Sequence, residues 1–118
     1  MDPFQPIREH CLALPGVTEK LSHGSPTFFA PGTRGKSFCM CLDDHHGDGR
    51  LAVWLAAPEG EQEALMAQDG EVYFRPPYVG PRGWVGVRLD RDLDLAIVKE
   101  HLDTAREAVE PIRRSRPS

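Results

Sequence analysis

The fold is decided by residues 71–89, which read EVYFRPPYVGPRGWVGVRL. Two runs within it, 71–75 and 84–89, are rich in aromatic and β-branched residues and predict strands. The connection between them contains Pro76, Pro77 and Pro81, and this much proline cannot pair inside a sheet. Residues 71–89 therefore predict two strands joined by a rigid loop.

The segment that follows predicts the clearest helix of the chain. Its apolar side chains recur at steps of three, four, three and four residues: Leu95, Val98, Leu102, Ala105 and Val109. This spacing is typical of an amphipathic helix that buries one face. We expect Asp92 or Asp94 to cap its start and Pro111 to end it, with Leu95, Val98, Leu102 and Val109 packed on the sheet.

The first half of the chain adds further elements. A short amphipathic helix is predicted at 5–14, and a second helix at 61–68. Strands are predicted at 27–30, 36–42 and 51–56, with a further extended segment at 17–22. This order, with short connections, predicts an α+β fold: a mainly antiparallel sheet of five or six strands with helices packed on one face.

Composition limits the class of protein. The chain has 118 residues, 40% of them hydrophobic, and a formal net charge of −4, which argues against disorder, a coiled coil and a membrane protein. We expect a single domain over residues 1–112, with 113–118 as a basic tail. The amino terminus lacks the basic and apolar regions of a signal peptide, so a cytoplasmic protein without membrane contact is expected.

The uncovered face of the sheet is the first candidate site. If the aliphatic residues of the last two strands face the helices, aromatic and arginine side chains project from the other face and its adjoining loop: Tyr73, Arg75, Tyr78, Arg82, Trp84 and Arg88. Such a set can stack on planar groups and hold anions, which suits DNA or a small planar anionic ligand. Alternatively, the aromatic residues simply cover the sheet edge. The negative net charge disfavours indiscriminate duplex binding.

The second candidate is the segment from Cys39 to Asp48, which contains every common ligand type of a transition metal. Its spacing matches no established metal motif, and a polar turn explains the same residues. We expect no metal and no cofactor. The nucleophile motif Gly-x-Ser-x-Gly and phosphate-binding glycine loops are missing, so the chain is not expected to be an enzyme.

Four segments, taken together, resemble the MmcQ/YjbR family of small bacterial proteins: residues 11–19 (CLALPGVTE), 23–28 (HGSPTF), 51–55 (LAVWL) and the run from Pro76 through Val87. The resemblance extends over about residues 5–110. It implies a compact α+β domain similar to the bacterial frataxin (CyaY) fold and to a double-wing DNA-binding fold.

The same resemblance implies two functions by analogy. Members are commonly described as candidate DNA-binding proteins, and the frataxin-like fold suggests metal handling as an alternative. Both are analogies of fold, which do not by themselves establish function. The family supplies no established activity and no catalytic residues.

Overall fold

The computed structural model describes residues 2–32 and 36–110. Three helices are present: α1 (Gln5–Ala13), α2 (Glu61–Gln68) and α3 (Leu95–Ala108). Six strands are present: β1 (Thr18–Ser22), β2 (Ser25–Phe29), β3 (Ser37–Asp43), β4 (Leu51–Leu55), β5 (Tyr73–Phe74) and β6 (Val85–Arg88). The predicted basic tail at 113–118 lies outside the described residues.

The strands form one antiparallel sheet in the order β1-β2-β3-β4-β6-β5. Neighbours in the first four strands are also neighbours along the chain, whereas β6 inserts between β4 and β5. The helices pack against one face, where α3 contacts β3 and β4, α1 contacts α3, and α2 contacts β5. The α+β prediction, with six strands and one-sided helices, is confirmed.

The core lies between this face and the helices. Val53 of β4 pairs with Cys41 of β3 and with Val87 of β6, and directly opposite residues of a sheet share a face. Cys39 and Cys41 lie on this face with Cys11 of α1, and all three thiols are buried. Burial is the main reason that the pKa of Cys39 lies well above its ordinary value, and the neighbouring thiols add to the effect. The cysteines therefore behave as small apolar core residues.

Helix α3 is anchored by the middle of its predicted apolar stripe. Val98, Leu102 and Ala105 are buried, and the Asp94 carboxylate accepts a hydrogen bond from the amide of Ala96 as the predicted cap. The predicted burial of Leu95 is wrong, since this side chain is 41% exposed. Leu95 lies in the first turn of α3, before the buried positions Val98, Leu102 and Ala105.

The strand predicted at 71–75 is shorter than expected. Only Tyr73 and Phe74 pair with β6, because Pro76 lacks an amide and the preceding turn uses the amide of Glu71 to bind the Asp69 carboxylate. No helix in the described ranges is long and apolar enough to cross a membrane.

Candidate ligand-binding site

The face of the sheet opposite the helices carries a floor of large side chains. Met40 and Trp54 are cross-strand partners, and Leu42 lies two residues further along β3, on the same face. Met40 lies on the opposite side of β3 from its neighbours Cys39 and Cys41, which face the helices. The strands therefore present an apolar surface that no helix covers.

Two loops and a hairpin enclose this surface into a pocket of about 570 Å³. We call it the sheet-face pocket; its floor is Met40, Leu42 and Trp54, and its walls are Ser22, His23, Ser25, Ser37, His45, His46, Tyr78, Val79 and Arg82. Pockets of about 300 to 1,000 Å³ with an apolar floor and a few polar groups are typical of small-molecule sites.

The β1–β2 hairpin forms one wall. Ser22 pairs with Ser25, so the hairpin loop consists of His23 and Gly24. Both have positive φ, at 54° and 82°, as the tight hairpin turns that match strand twist require. This turn places the exposed imidazole of His23 at the pocket edge.

The loop between β3 and β4 forms the second wall. Its aspartates bind their own backbone: the Asp44 carboxylate accepts from the amide of Gly49 at 2.7 Å, and the Asp48 carboxylate accepts from that of Arg50 at 2.9 Å. The closed loop places the His45 ring edge-on against Trp54, with ring centroids 4.8 Å apart.

The protonation of His45 follows from this position. Partial burial, with the neighbouring His46, lowers the pKa of His45, and Asp48 opposes the shift. Burial disfavours the charged imidazolium. His45 is therefore neutral at pH 7 and presents an aromatic wall with one N–H donor and one acceptor.

The proline-rich loop forms the third wall. Gln62 of α2 holds it from the helix side, because its amide donates to the carbonyls of Gly80, at 2.9 Å, and Trp84. Gln62 is 3% exposed, so both bonds are shielded from water. The loop carries Tyr78, which lies 6.0 Å from His45 between ring centroids, and Arg82.

Left-handed backbone conformations concentrate around the pocket. The described non-glycine residues with positive φ are His23, Asp44, His46 and Tyr78; three of them line the pocket and Asp44 adjoins it. Such conformations cost about 1 to 2 kcal/mol for residues with a β-carbon, and strained residues cluster at ligand sites. Tyr78 is the most notable, because its bulky side chain has φ 66° and is 72% exposed.

A buried donor adds a further feature. Trp54 is 2% exposed, and its indole N–H has no hydrogen-bond partner among the described residues. A buried polar group without a partner costs about 1 to 3 kcal/mol. Trp54 contributes to the pocket floor, so this donor belongs to a residue that a ligand would contact.

The structure brings together some of the residues predicted from sequence. Tyr78 and Arg82 both line the pocket. Trp84 and Arg88 lie on the predicted side of β6, but Trp84 is buried and the Arg82 guanidinium covers it, 5.6 Å from the ring centroid. Arg88 is paired with Asp90 by hydrogen bonds of 2.9 and 3.0 Å.

The predicted placement of Tyr73 and Arg75 on the uncovered face is wrong. Tyr73 pairs with Val87, a core residue, and its hydroxyl lies 2.7 Å from Nε2 of His101 on α3. Arg75 contacts Gln62 of α2. Residues 72–74 are all apolar or aromatic, so alternation alone could not decide whether Tyr73 or its neighbours face the helices. The pairing with β6 decides this.

The pair of Tyr73 and His101 makes stability depend on pH. Burial lowers the pKa of His101 below its ordinary 6.5, so the unfolded chain binds a proton more readily than the folded one. The free energy of unfolding should therefore fall as pH decreases from 7 to about 5. Urea titrations should show a smaller fall for His101→Gln; equal pH dependence would contradict this assignment.

The segment from Cys39 to Asp48 is divided between the two faces of the sheet. Cys39 and Cys41 face the helices, whereas His45 packs over Trp54 on the opposite face. Among the described residues, no group of three or more His, Cys, Asp or Glu side chains is arranged to hold a metal ion. The ligand types adjacent in sequence therefore do not converge.

We accordingly expect no specific zinc binding by this segment. Zinc requires about four ligands in a tetrahedral array, and rearranging a closed loop and two buried thiols would cost more than ordering a flexible turn. Isothermal titration calorimetry with zinc should detect no binding stronger than tens of micromolar. Micromolar affinity that disappears in the double variant His45→Ala, His46→Ala would overturn this prediction.

Several pocket residues were not predicted as site residues. The histidines His45 and His46 were considered only as metal ligands, and Trp54 only as part of a strand. Alternation along residues 51–55 does place Trp54 on the other side of the strand from Val53 and Leu55. Trp54 then shares a face with its cross-strand partner, Met40. The missing information was the path of the two loops across that face.

Fold and pocket together define a small α+β protein with a one-sided antiparallel sheet and a ligand-sized pocket on its open face. The family model named YjbR matches residues 12–108. The chain belongs to the YjbR family, as its motifs indicated. A search of curated proteins found no match.

A solved structure has the same fold. The crystal structure of Deinococcus radiodurans protein DR2400, a DUF419 domain, is similar with a TM-score of 0.67 and 20% sequence identity. The similarity covers 86% of this chain and 75% of that chain. At this identity it supports the shared architecture.

Proposed function

We propose that this protein is a binding module that takes a small organic ligand in the sheet-face pocket. The observation that carries the proposal is the group of left-handed, non-glycine residues around an apolar pocket. His23, His46 and Tyr78 all adopt such conformations at its walls. The hairpin turn itself requires the conformation of His23, whereas the cost at His46 and Tyr78 is explained if their side chains contact a ligand.

Tyr78 gives the strongest support. Burial does not compensate for its backbone conformation, since the side chain is 72% exposed. Gln62 and the internal hydrogen bonds of the loop, including Gly80 N–H to the carbonyl of Pro76 at 3.0 Å, hold it beside His45. An aromatic side chain fixed at the mouth of a pocket can stack on a planar ligand with little further loss of entropy.

NMR titration of the ¹⁵N-labelled protein tests the proposal, because the two tryptophans provide an internal control. The probes are three naphthalene derivatives: the neutral naphthalen-2-ylmethanol, the anion 2-naphthoate and the cation 2-naphthylmethylammonium. We expect at least one of them to shift the indole resonance of Trp54, and the neutral probe to leave that of Trp84, which lies outside the pocket lining, nearly unchanged. If none shifts Trp54 at concentrations well above about 1 mM, the affinity range of ligands this size, the proposal is wrong.

A variant separates binding from stability. Tyr78→Gly removes the stacking side chain at a position where glycine adopts the observed φ without strain, so we expect the melting temperature to be maintained or raised. The same variant should weaken binding of the best probe at least about threefold, a conservative value for one lost aromatic contact. Unchanged binding by this variant would exclude Tyr78 from the site.

Single-stranded nucleic acid is a second candidate ligand. Exposed Tyr78 and Arg82 on one loop favour it, since an aromatic group and a guanidinium together bind a base and its phosphate. A short oligo-dT strand should then shift Trp54 with an affinity that falls as salt rises. A DNA duplex should not, because Arg88 is paired with Asp90 and the net charge is −4. No shift with oligo-dT would exclude this candidate and leave the first intact.

A further inference from the structure

The chemistry of the pocket wall indicates which class of small ligand it accepts. The chain contains 18 acidic and 14 basic residues, yet no Asp or Glu is among the residues that line the pocket. Three of the chain's five histidines line it, with Arg82. The pocket lining thus carries the cation Arg82 and no carboxylate, on a protein whose net charge is negative.

The aspartates of the adjacent loop form no ion pair with Arg82 among the described residues. Asp44 and Asp48 belong to the same loop as His45, but their carboxylates accept backbone amides within the loop. The Arg82 guanidinium makes no ion pair with a carboxylate among the described residues; it lies over the Trp84 ring. An anion in the pocket would thus meet an unpaired guanidinium, which can bind carboxylate or phosphate oxygens through two parallel hydrogen bonds.

The remaining polar groups include donors for an anion but no anionic partner for a cation. The Trp54 indole N–H is buried and unpartnered among the described residues, and it can only donate. The hydroxyls of Ser22, Ser25 and Ser37 can donate or accept. An anionic group would therefore find donors in this lining, whereas an ammonium group would find no carboxylate there.

The aromatic residues determine the shape. The ring of His45 stands edge-on to Trp54, at 67° between planes, and nearly perpendicular to Tyr78, at 78°. Of these rings, Tyr78 is 72% exposed, so it presents a surface on which a planar group can stack. The apolar side chains of Met40 and Leu42 complete a floor that favours an apolar body over a fully polar one.

We propose that the sheet-face pocket binds a planar aromatic anion, with its ring against Tyr78 above the floor of Met40, Leu42 and Trp54 and its anionic group toward Arg82. This inference rests on the proposed function and adds the class of ligand. Both a carboxylate and a phosphate ester fit the donors, so the shared requirement is an aromatic ring that carries an anionic group.

Three matched probes test the class by NMR titration at neutral pH. The first is 2-naphthoate; 2-naphthylmethylammonium has the same ring with the opposite charge, and cyclohexanecarboxylate has the same charge without the aromatic ring. We expect 2-naphthoate to bind at least about tenfold more tightly than either of the others, the size of one charge-assisted hydrogen bond. Phenyl phosphate compared with benzoate then shows which anionic group is preferred.

Two variants locate the anionic group. Arg82→Gln should weaken 2-naphthoate binding about tenfold and leave that of neutral naphthalen-2-ylmethanol nearly unchanged. Arg91→Gln is the matched control, because Arg91 is exposed, lies outside the pocket lining and faces Glu71 and Asp90. Equal effects of the two substitutions would overturn the role of Arg82.

The outcomes separate this inference from the proposed function. If the ammonium or the aliphatic acid shifts Trp54 with an affinity equal to that of 2-naphthoate, the aromatic anion is wrong and the ligand pocket stands. If none of these charged probes nor naphthalen-2-ylmethanol shifts Trp54, both the inference and the proposed function are wrong.

Discussion

Replacing Leu102 with alanine should lower the free energy of unfolding by about 2 to 5 kcal/mol, as truncation of a fully buried leucine does. Leu102 is fully buried on α3, and α3 packs on β3 and β4. The substitution removes apolar area from the core and leaves a cavity that rigid strands cannot collapse to fill. Urea denaturation monitored by circular dichroism measures the change.

Leu95→Ala is the matched control for this prediction. It is the same substitution in the same helix, but at a side chain that is 41% exposed. We expect its effect to stay within about 0.5 to 1 kcal/mol. Similar losses for the two variants would show that the apolar stripe of α3 is buried along its whole length, as the sequence pattern suggests.

This contrast shows how far the pattern alone could lead. The period of α3 correctly identified the buried face, because a helix repeats every 3.6 residues wherever it lies. It did not identify which apolar position of that face stays exposed, as Leu95 does. That depends on how the axis of α3 crosses β3 and β4, which is a property of the packed molecule and not of the segment.

The same limit explains why Tyr73 of β5 was predicted on the open face but lies on the helix face. Strand alternation assigns Tyr73 and Phe74 to opposite sides with certainty, but it leaves open which side faces the helices. The register with β6 decides, since Tyr73 pairs with Val87 and Phe74 with Gly86. A one-residue shift would have placed Tyr73 on the open face and Phe74 on the helix face.

The candidate site illustrates a different limit. Tyr78 and Arg82 were predicted from their residue types and their proline-rich loop, because composition suffices to mark a rigid, exposed loop. The histidines of the pocket come from other loops, at least 32 positions before Tyr78 in the sequence. Their convergence depends on the left-handed turns at His23 and His46, for which single-sequence patterns provide only a weak signal.

The third wall of the pocket depends on a contact with a helix on the other face of the sheet. Gln62 connects α2 on the helix side with the loop that carries Tyr78 and Arg82 on the other side. The loop thus passes around the end of the sheet from one face to the other and is held at its turn by a buried amide. Any stable ligand site on the open face relies on helices that never touch that face.

Gly86→Ala is the second substitution with a large expected effect, and its cause lies on the open face. A β-carbon at Gly86 would stand 2.3 Å from Cζ of Phe74 and 2.5 Å from two further ring atoms, far inside van der Waals contact. The ring cannot retreat freely, because the Arg50 guanidinium covers it, 4.1 Å from its centroid. An aromatic ring that covers a cross-strand glycine is a known device for stabilising sheets.

We therefore expect Gly86→Ala to lower the free energy of unfolding by about 2 to 3 kcal/mol, the upper range for overpacking a core. Gly70→Ala is the control, since its new β-carbon would lie 3.7 Å from its nearest neighbour, the carbonyl oxygen of Met66; its effect should stay within about 0.5 kcal/mol. In a double-mutant cycle, Phe74→Leu should reduce the cost of Gly86→Ala, because the smaller side chain leaves room for the methyl group. Additive costs would mean that the alanine is rejected by something other than the Phe74 ring.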